Sequence, residues 1–251
     1  MRRLFAIGIV CFSLALSMGA QDAVPNEILS RTWLIRNTAT NKFGTGFVVD
    51  HKGTAFLVTA RHMVEGLPTT KATIDIWQEN TWKTVQTIKT LFPKSNQVDI
   101  AVFKLNEKIS APYQITSPQD GGGGTFGQQV WFLGYPYQIG SHIGGKQLWD
   151  GGFPFIKRGT MSAIDGRNPD AVVYFIDGFN NPGFSGGPVV YWDFKERTYR
   201  IMAVVKGYMP DTAKIAVNGQ QVDTLYLVNS GILIAYSIKH ADDAIEADDT
   251  Q

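Results

Sequence analysis

A serine flanked by glycines is the residue in this sequence best suited to chemistry. Ser185 lies in the stretch Asn181-Pro182-Gly183-Phe184-Ser185-Gly186-Gly187-Pro188. A serine hydroxyl becomes a nucleophile when a base takes its proton, and the anion it then creates on a carbonyl needs hydrogen-bond donors already in place. Gly183 permits a loop whose main-chain N–H groups, at Gly183 and Ser185, point into one small oxyanion hole. The alternative is a glycine-rich surface turn with an ordinary serine.

The residues after Ser185 separate two kinds of serine loop. Gly-x-Ser-x-Gly also fits the nucleophile elbow of α/β-hydrolases, in which a helix follows the serine directly. Here Gly186-Gly187-Pro188 is poor helix material, and Val189-Val190-Tyr191-Trp192 is typical of a strand. Because His240 is the only histidine after Ser185, the sequence predicts a base upstream.

Two upstream residues have the right types and settings to assist the serine. His62 follows the apolar run Phe56-Leu57-Val58-Thr59-Ala60, where a general base can face a cleft from a rigid strand end. Asp99 precedes the apolar run Ile100-Ala101-Val102-Phe103, where an acid is either a turn residue or a buried acceptor that orients an imidazole. Either residue taken separately also fits an ordinary structural role, but the order His62, Asp99, Ser185 favours a catalytic set.

Composition and charge limit the class of protein. The chain has 251 residues, of which 44 % are hydrophobic, so it can bury the core of one double-barrel domain or two small domains. A formal net charge of +1 gives no electrostatic case for nucleic acid or a lipid surface. The 26 glycines and the many short β-branched or aromatic runs favour an all-β protein.

Metal and phosphate sites are not expected. His51, His142 and His240 have no matching carboxylate or thiol spacing for a metal ion. The run Gly121-Gly122-Gly123-Gly124 lacks the Lys-Ser/Thr of a phosphate-binding loop, and we interpret it as part of a linker.

The first 20 residues resemble a secretory signal peptide. Arg2-Arg3 precedes a mostly apolar run, and Ser17-Met18-Gly19-Ala20 supplies small residues for cleavage. An uncleaved N-terminal anchor is the alternative. Cys11, the only cysteine, lies within this segment, so the mature chain is expected to have no thiol and no disulfide. We therefore expect a secreted or periplasmic bacterial protein, with no membrane association beyond the signal peptide.

The mature chain divides into two β-rich halves. Short strand-like runs predict one six-stranded antiparallel β-barrel within residues 21–118, which carries His62 and Asp99, and a second within 119–251, which carries Ser185. The glycine-rich stretch from Ser117 to Gly127 is the predicted linker. Asn218-Gly219 predicts a hairpin, and Ser237 is the predicted cap of a C-terminal helix over residues 238–246.

Three blocks of the sequence carry a family resemblance. Thr59-Ala60-Arg61-His62, Val98-Asp99-Ile100-Ala101-Val102 and Gly183-Phe184-Ser185-Gly186-Gly187-Pro188 resemble the His, Asp and Ser blocks of the trypsin-like serine peptidases, which have the chymotrypsin double-barrel fold. The resemblance is strongest to the bacterial HtrA-type protease domain, without the peptide-binding PDZ domain that usually follows it. Other stretches also match, including Gly44-Thr45-Gly46-Phe47.

The resemblance implies a role for each residue. Ser185 would attack the scissile carbonyl, His62 would take and return the proton, and Asp99 would orient the imidazole. The N–H groups of Gly183 and Ser185 would form the oxyanion hole. The substrate would be a polypeptide bound in a cleft between the barrels, and no cofactor is implied.

This sequence departs from the family at the substrate pocket and before the serine. Phe184 stands where digestive members carry the aspartate that pairs with a new N-terminus, so no activation by that cleavage is expected. Phe179 stands where trypsin has an acid, which argues against a preference for Lys or Arg. With Ala203, Val204 and Gly207 as further pocket candidates, we expect a small or medium apolar residue at P1, the substrate position before the scissile bond.

Two other functions remain open at this point. A catalytically silent or latent relative would bind peptides or act as a scaffold, and the flexibility of Pro182-Gly183 permits an inverted oxyanion loop. Esterase activity on small acyl esters would use the same machinery. The sequence does not indicate an oligomeric state.

Overall fold

The computed structural model describes residues 23–78, 80–106, 124–141, 152–217 and 220–250. Within these residues, the chain forms two closed six-stranded antiparallel β-barrels and a short C-terminal helix, which confirms the predicted all-β double-barrel fold. The strands of the first barrel are β1 (Thr32–Asn37), β2 (Phe43–His51), β3 (Thr54–Thr59), β4 (Thr73–Gln78), β5 (Thr81–Leu91) and β6 (Ala101–Leu105). Those of the second barrel are β7 (Gln129–Gly134), β8 (Phe155–Asp165), β9 (Val173–Asp177), β10 (Pro188–Asp193), β11 (Thr198–Val217) and β12 (Gln220–Ser237).

The first barrel closes in the strand order β1-β2-β3-β6-β5-β4. A short turn joins β2 to β3, and the glycine at position 53 supplies the positive φ of 81° that this turn requires. Inward-facing apolar side chains such as Leu57, Ile74 and Phe103 fill the interior and are almost completely buried. The barrel therefore provides a rigid support for the loops at its ends.

The second barrel closes in the order β10-β11-β12-β9-β8-β7. Its strands β11 and β12 form a long hairpin, and the pairing of Val217 with Gln220 confirms the hairpin predicted at Asn218-Gly219, although those two turn residues lie outside the described part of the chain. The apolar runs 222–228 and 232–236 each predict a strand, but the structure has the single strand β12, because pairing with β11 continues through Asn229.

A third apolar cluster joins the two barrels. Phe47 and Val58 of the first barrel pack in one buried cluster with Trp131 and Val190 of the second. The C-terminal helix α2 (Lys239–Asp249) adds buried residues to the same cluster. The two barrels thus share a core, and the loops at their junction are held in a fixed relation.

Helix α2 also contacts the first barrel through charge. Asp248 accepts hydrogen bonds from Lys89 Nζ at 2.8 Å and from Lys104 Nζ at 2.7 Å. The two lysine ammonium groups lower the pKa of the Asp248 carboxyl below its usual value, with Lys104 the stronger influence. The helix thereby anchors the C-terminal end of the second barrel to strands β5 and β6.

Several local predictions differ from the structure. The helix begins at Lys239 with Ile238 as its N-cap residue, so the prediction of Ser237 in that position is wrong by one residue, although Ser237 Oγ does accept a hydrogen bond from Lys239 N. The short helix α1 (Asn26–Leu29) was not predicted, since four residues are too few to show a helical period. The proposed signal peptide at residues 1–20 and the barrel boundary at 118/119 lie outside the described residues.

Neither helix in the described part of the chain has the length and apolar character needed to cross a membrane.

Candidate active site

The side chains of His62 and Asp99 meet at one end of the first barrel. His62 lies in a one-turn 3₁₀ helix (Arg61–Met63) directly after β3, and Asp99 lies in the connection that leads into β6. Since β3 and β6 are hydrogen-bonded neighbours, their ends bring the two residues together. His62 Nδ1 lies 2.7 Å from Asp99 Oδ2, and the main-chain N–H of His62 donates to Asp99 Oδ1 at 2.9 Å.

Both carboxylate oxygens of Asp99 are engaged by the same residue, which fixes the plane of the imidazole. Burial raises the pKa of the Asp99 carboxyl, but the hydrogen bonds and charge of His62 outweigh that effect and hold the pKa below its usual value. The carboxyl is therefore ionised near neutral pH. With Nδ1 donating to a carboxylate, the other ring nitrogen, Nε2, is left as the acceptor.

The turn that carries His62 is itself held by a buried amide. Asn37 Nδ2 donates to the carbonyls of Met63 at 2.9 Å and Glu65 at 2.8 Å. Arg61, next to His62, points away, because its guanidinium donates to Asn96 Oδ1 and lies 4.7 Å from the centre of the Phe92 ring.

Ser185 lies in the loop between β9 and β10, and this loop packs on the first barrel beside the His62 turn. The main-chain N–H of Thr45 on β2 donates to Ser185 O at 2.9 Å, and Thr45 Oγ1 donates to Gly183 O at 2.7 Å. A Cβ atom added at Gly186 would lie 2.8 Å from Ala60 N, only two residues before His62. The structure thus brings the Ser185 loop and the His62–Asp99 pair to one junction between the barrels.

The hydroxyl of Ser185 is directed to a main-chain acceptor. Ser185 Oγ donates to Lys206 O on β11 at 3.0 Å. Among the described residues, no hydrogen bond joins Ser185 Oγ to His62. In proteins without bound substrate, catalytic hydrogen bonds are often long or unformed and tighten only when substrate binds.

The main chain around Gly183 contains the two N–H groups that the sequence predicts as oxyanion donors. Pro182 O accepts a hydrogen bond from Tyr137 N at 3.0 Å, and because a trans peptide directs its C=O and N–H to opposite sides, the N–H of Gly183 faces away from Tyr137. Gly183 has a φ of 107°, which disfavours residues with a Cβ. Within the described chain, the N–H groups of Gly183 and Ser185 have no protein acceptor, which leaves both available to a ligand oxygen.

The residue before the serine is a buried anchor. Phe184 is fully buried, and its ring meets that of Phe132 on β7 edge-on, with centroids 5.3 Å apart. Gly134 leaves room for it, because a Cβ there would lie 2.7 Å from Phe184 Cδ1. Apolar packing at Phe184 thus fixes this part of the loop.

The predicted pocket residues lie in different environments. The side chains of Ala203 and Val204 are fully buried, with Ala203 in the core of the second barrel and Val204 in the shared core. Phe179 is 56 % exposed, and its ring faces the ammonium of Lys157, which lies 5.6 Å from the ring centre. Gly207 is open, because a Cβ there would have no atom within 4 Å. Of the four, Phe179 and Gly207 are placed where a ligand can reach them.

Three residues that contact the Ser185 loop were not singled out from the sequence. Thr45 lies within the Gly44-Thr45-Gly46 stretch, so the motif contained a signal for it. The sequence contains no such signal for Lys157 and Lys206, because their contacts with the loop depend on strands far apart in sequence.

Among the described residues, no group of three or more His, Cys, Asp or Glu side chains is arranged to hold a metal ion. His142 lies outside those residues. His51 pairs with Asp249, and His240 is buried and accepts a hydrogen bond from Val172 N through Nε2.

The chain is similar to known proteins in both sequence and fold. The family model of the trypsin-like peptidase domain matches residues 44–194, which is more than half of the chain. A search of curated protein sequences found no significant match.

Solved structures of bacterial proteases share the fold. The active form of the Rv3671c protease from M. tuberculosis has 17 % sequence identity and a TM-score of 0.55, and the match covers 88 % of this chain and 82 % of that one. The serine endoprotease from Yersinia pestis has 19 % identity and a TM-score of 0.56, covering 90 % and 67 %. The HtrA-type protease AlgW, solved with a tripeptide, has 18 % identity and a TM-score of 0.57, covering 88 % and 61 %.

At these identities the structural likeness shows a common fold, and the family match is independent of it. Together they show that the chain belongs to the trypsin-like peptidase family of serine endopeptidases.

Proposed function

We propose that the chain is an exported serine endopeptidase that cleaves peptide bonds through Ser185, His62 and Asp99. Ser185 Oγ attacks the scissile carbonyl, while His62 Nε2 takes the hydroxyl proton and then gives it to the leaving amine. Water, activated by the same imidazole, hydrolyses the resulting acyl-enzyme. Asp99 orients His62 and stabilises its cation without being protonated itself.

The orientation of His62 is the observation that supports this proposal most directly. Asp99 binds both Nδ1 and the main-chain N–H of His62, at 2.7 and 2.9 Å, so the ring is held with Nε2 as the free acceptor. A histidine in a purely structural role gains nothing from an Nε2 without a hydrogen-bond partner among the described residues. The side chain is also 36 % exposed, so substrate and proton can reach it.

In the proposed mechanism, Ser185 Oγ leaves the Lys206 carbonyl, to which it donates at 3.0 Å, and turns to donate to His62 Nε2. Rotamer changes of exposed side chains take picoseconds to nanoseconds. The rotation also frees Lys206 O to accept from a substrate main-chain N–H, so substrate binding and serine activation favour each other.

The oxyanion hole is ascribed to the N–H groups of Gly183 and Ser185. Support comes from the bond between Tyr137 N and Pro182 O, which opposes the inverted loop in which Pro182 O would fill the hole. Because the donors are in place before the reaction, stabilising the oxyanion requires little reorganisation.

We propose a preference for a small or medium apolar P1 residue, and Phe179 is the residue that supports it most. Ala203 and Val204 are enclosed in cores and have no surface to offer a substrate. Cleavage-site profiling with a mixed peptide library is expected to give Ala, Val or Leu at P1. A profile dominated by Arg or Glu would contradict this preference and leave the proposed mechanism intact.

The proposed function is tested with a fluorophosphonate probe on the folded protein, residues 21–251. We expect covalent labelling that maps to Ser185 by mass spectrometry and is lost after denaturation. A well-folded protein that is not labelled would instead support a silent or latent relative. The Rv3671c protease has been solved in inactive and active forms, so this alternative has a precedent in the fold.

Replacing Gly183 by alanine is expected to lower kcat about 10²- to 10³-fold, the effect of losing one oxyanion donor. The φ of 107° is unfavourable for alanine, and the new Cβ would lie 2.2 Å from Tyr135 O, so the loop must move. Hydrolysis of a peptide substrate by the purified variant measures the effect.

The matched control for Gly183→Ala is Gly127→Ala. Gly127 also has a positive φ, of 78°, but a Cβ there has no atom within 4 Å. The control is expected to cost about 1–2 kcal/mol of stability, the cost of a Cβ in the left-handed region, and to leave kcat unchanged. Equal kcat values in the two variants would count against the proposed oxyanion hole.

Export is proposed from the sequence of residues 1–20. Expression of the full chain in a bacterial host with a secretion system is expected to give a mature protein that begins near Gln21 in the periplasm or medium. A chain that keeps Met1 and stays in the cytoplasm would contradict export.

A further inference from the structure

Lys157 on β8 is a half-buried lysine whose contacts converge on the loop that carries Ser185. Its Nζ donates to Phe179 O at 2.9 Å and also to Asn181 Oδ1. The same ammonium lies 5.6 Å from the centre of the Phe179 ring and 5.5 Å from that of the buried Phe184. One cation therefore contacts the loop at three successive places, the last of them directly before Ser185.

The ammonium has only neutral partners within the described chain. No carboxylate lies within ion-pair distance of it there, and burial lowers its pKa from the usual 10.5. A partly desolvated cation depends on its remaining hydrogen bonds and aromatic contacts, and these all come from the loop. If the loop moved away, the cation would lose partners that no other described group replaces.

The loop needs such a contact because the residue before Ser185 is apolar. Phe184 has no charge through which to fix the loop by an ion pair. Its ring is held by Phe132 on one side and is reached by the Lys157 cation on another. Asn181, which Lys157 also binds, comes immediately before Pro182, whose carbonyl orientation directs the Gly183 N–H.

We propose that Lys157 is a positioning residue that holds residues 179–184 in the conformation with a formed oxyanion hole. It touches neither substrate nor reacting atoms, and it acts through Asn181 and Phe184. The inference rests on the proposed function, because it assigns Lys157 a role in the same oxyanion loop.

The first experiment compares Lys157→Met, Lys157→Arg and the wild type in peptide hydrolysis. Methionine keeps an unbranched chain but removes the charge and the donors. We therefore expect kcat to fall about 10-fold or more, while KM changes less than about 3-fold. The fall in kcat should stay below that caused by loss of a whole oxyanion donor. Arginine keeps charge and donors and is expected to restore part of kcat. Arg158→Met on the same strand is the control, because Arg158 is exposed, and it should match the wild type.

A pH profile distinguishes positioning from a general loss of structure. As the pH rises through the lowered pKa of Lys157, the ammonium loses its charge. The decline of wild-type kcat should therefore begin at a lower pH than the one at which an ordinary lysine loses its proton. This decline should be absent in Lys157→Met and shifted beyond pH 11 in Lys157→Arg, because guanidinium has a pKa above about 12.

Other titrating groups near the loop must be separated from Lys157. On the packed elements these are Tyr137, whose hydroxyl is 3.5 Å from Asn181 Nδ2, Asp177 on β9, Arg158, and Tyr135, whose pKa is raised by burial. The Tyr137→Phe variant should keep the alkaline decline if Lys157 causes it.

The outcomes separate this inference from the proposed function. If the wild type is not labelled by the fluorophosphonate probe, the proposed function fails first. If the wild type is labelled and Lys157→Met retains wild-type kcat, or loses kcat with an unchanged alkaline profile, the positioning role is overturned alone. A selective loss of cleavage after acidic P1 residues would also overturn it, because Lys157 would then be a substrate contact.

Discussion

Replacing Ser185 by alanine is expected to lower kcat for peptide hydrolysis about a million-fold, the size of effect seen when a catalytic serine is removed from a serine protease. The variant lacks the proposed nucleophile. What remains is the contribution of the oxyanion hole and of substrate binding, about 10³- to 10⁴-fold over the reaction in water.

The fold should be unaffected by this change. Ser185 Oγ makes one hydrogen bond, to Lys206 O, and the residue is only half-buried, so the loss of stability should stay near 1 kcal/mol. Ser162→Ala is a matched control, because Ser162 Oγ also donates to a main-chain carbonyl, that of Thr160, on an exposed part of β8. Urea unfolding should give similar midpoints for both variants, while only Ser185→Ala loses activity. More than about 1 % residual activity in Ser185→Ala would contradict the assignment.

Removing His62 tests whether the serine and the base act as a unit. His62→Ala should lose nearly as much activity as Ser185→Ala, and the double variant should lose little more, because either change already disables the same step. Independent, additive losses would argue that the two residues do not share one reaction.

The strands could be predicted because their patterns are local. In β5, the alternation of polar and apolar residues from Trp82 to Ile88 indicates one buried face, and the structure has a strand there. The catalytic candidates were equally accessible to sequence reasoning, since each lies in a short block whose glycines or apolar neighbours are adjacent in the chain.

The substrate pocket could not be predicted in the same way. Residues 201–205 of β11 are buried on both faces, one against the second barrel's interior and the other against the shared core. An apolar run without alternation does not reveal which side chains face a cleft. Phe179 lies in the loop after β9, and its ring faces the ammonium of Lys157, a residue 22 positions away on β8 that its sequence context does not reveal.

The hydrogen bonds that hold the Ser185 loop could not be predicted from the sequence either. Thr45 and Gly183 are separated by 138 positions, yet their hydrogen bond joins the first barrel to the loop of the second. Such contacts follow from closing two barrels against each other, which no local pattern encodes. The same reason applies to the Pro182 carbonyl, whose direction is set by Tyr137.

Replacing Asp99 by asparagine is expected to lower kcat about ten-thousand-fold with little change in substrate binding. The carboxylate accepts from both His62 Nδ1 and the His62 main-chain N–H, so both of its oxygens face donors. An asparagine has one acceptor and one donor group. If the asparagine NH₂ faces Nδ1, the ring takes the tautomer with a proton on Nε2, and Nε2 no longer accepts the Ser185 proton. If the NH₂ instead faces the main-chain N–H of His62, both groups are donors and no hydrogen bond forms between them.

The pH dependence provides a second measure of the same residue. The pKa of Asp99 is held below its usual value by His62, so the stability that the pair contributes is fully present above the usual aspartate pKa and is lost as the pH falls through the lowered pKa. In Asp99→Asn this acid-dependent part of the unfolding free energy should disappear. Comparison of urea unfolding at about pH 7 and pH 3 measures it.

Asp75→Asn is the control that separates catalysis from stability. Asp75 is also a buried aspartate of the first barrel, where it accepts from Arg36 Nε at 2.9 Å and from Thr84 Oγ1 at 2.7 Å, but it lies on β4 away from His62. Its replacement should destabilise the fold and leave kcat of the folded protein intact. If Asp75→Asn and Asp99→Asn lost the same activity at equal folded fraction, the role of Asp99 would be structural, because only an aspartate that orients the base can change the rate without changing the population of folded protein.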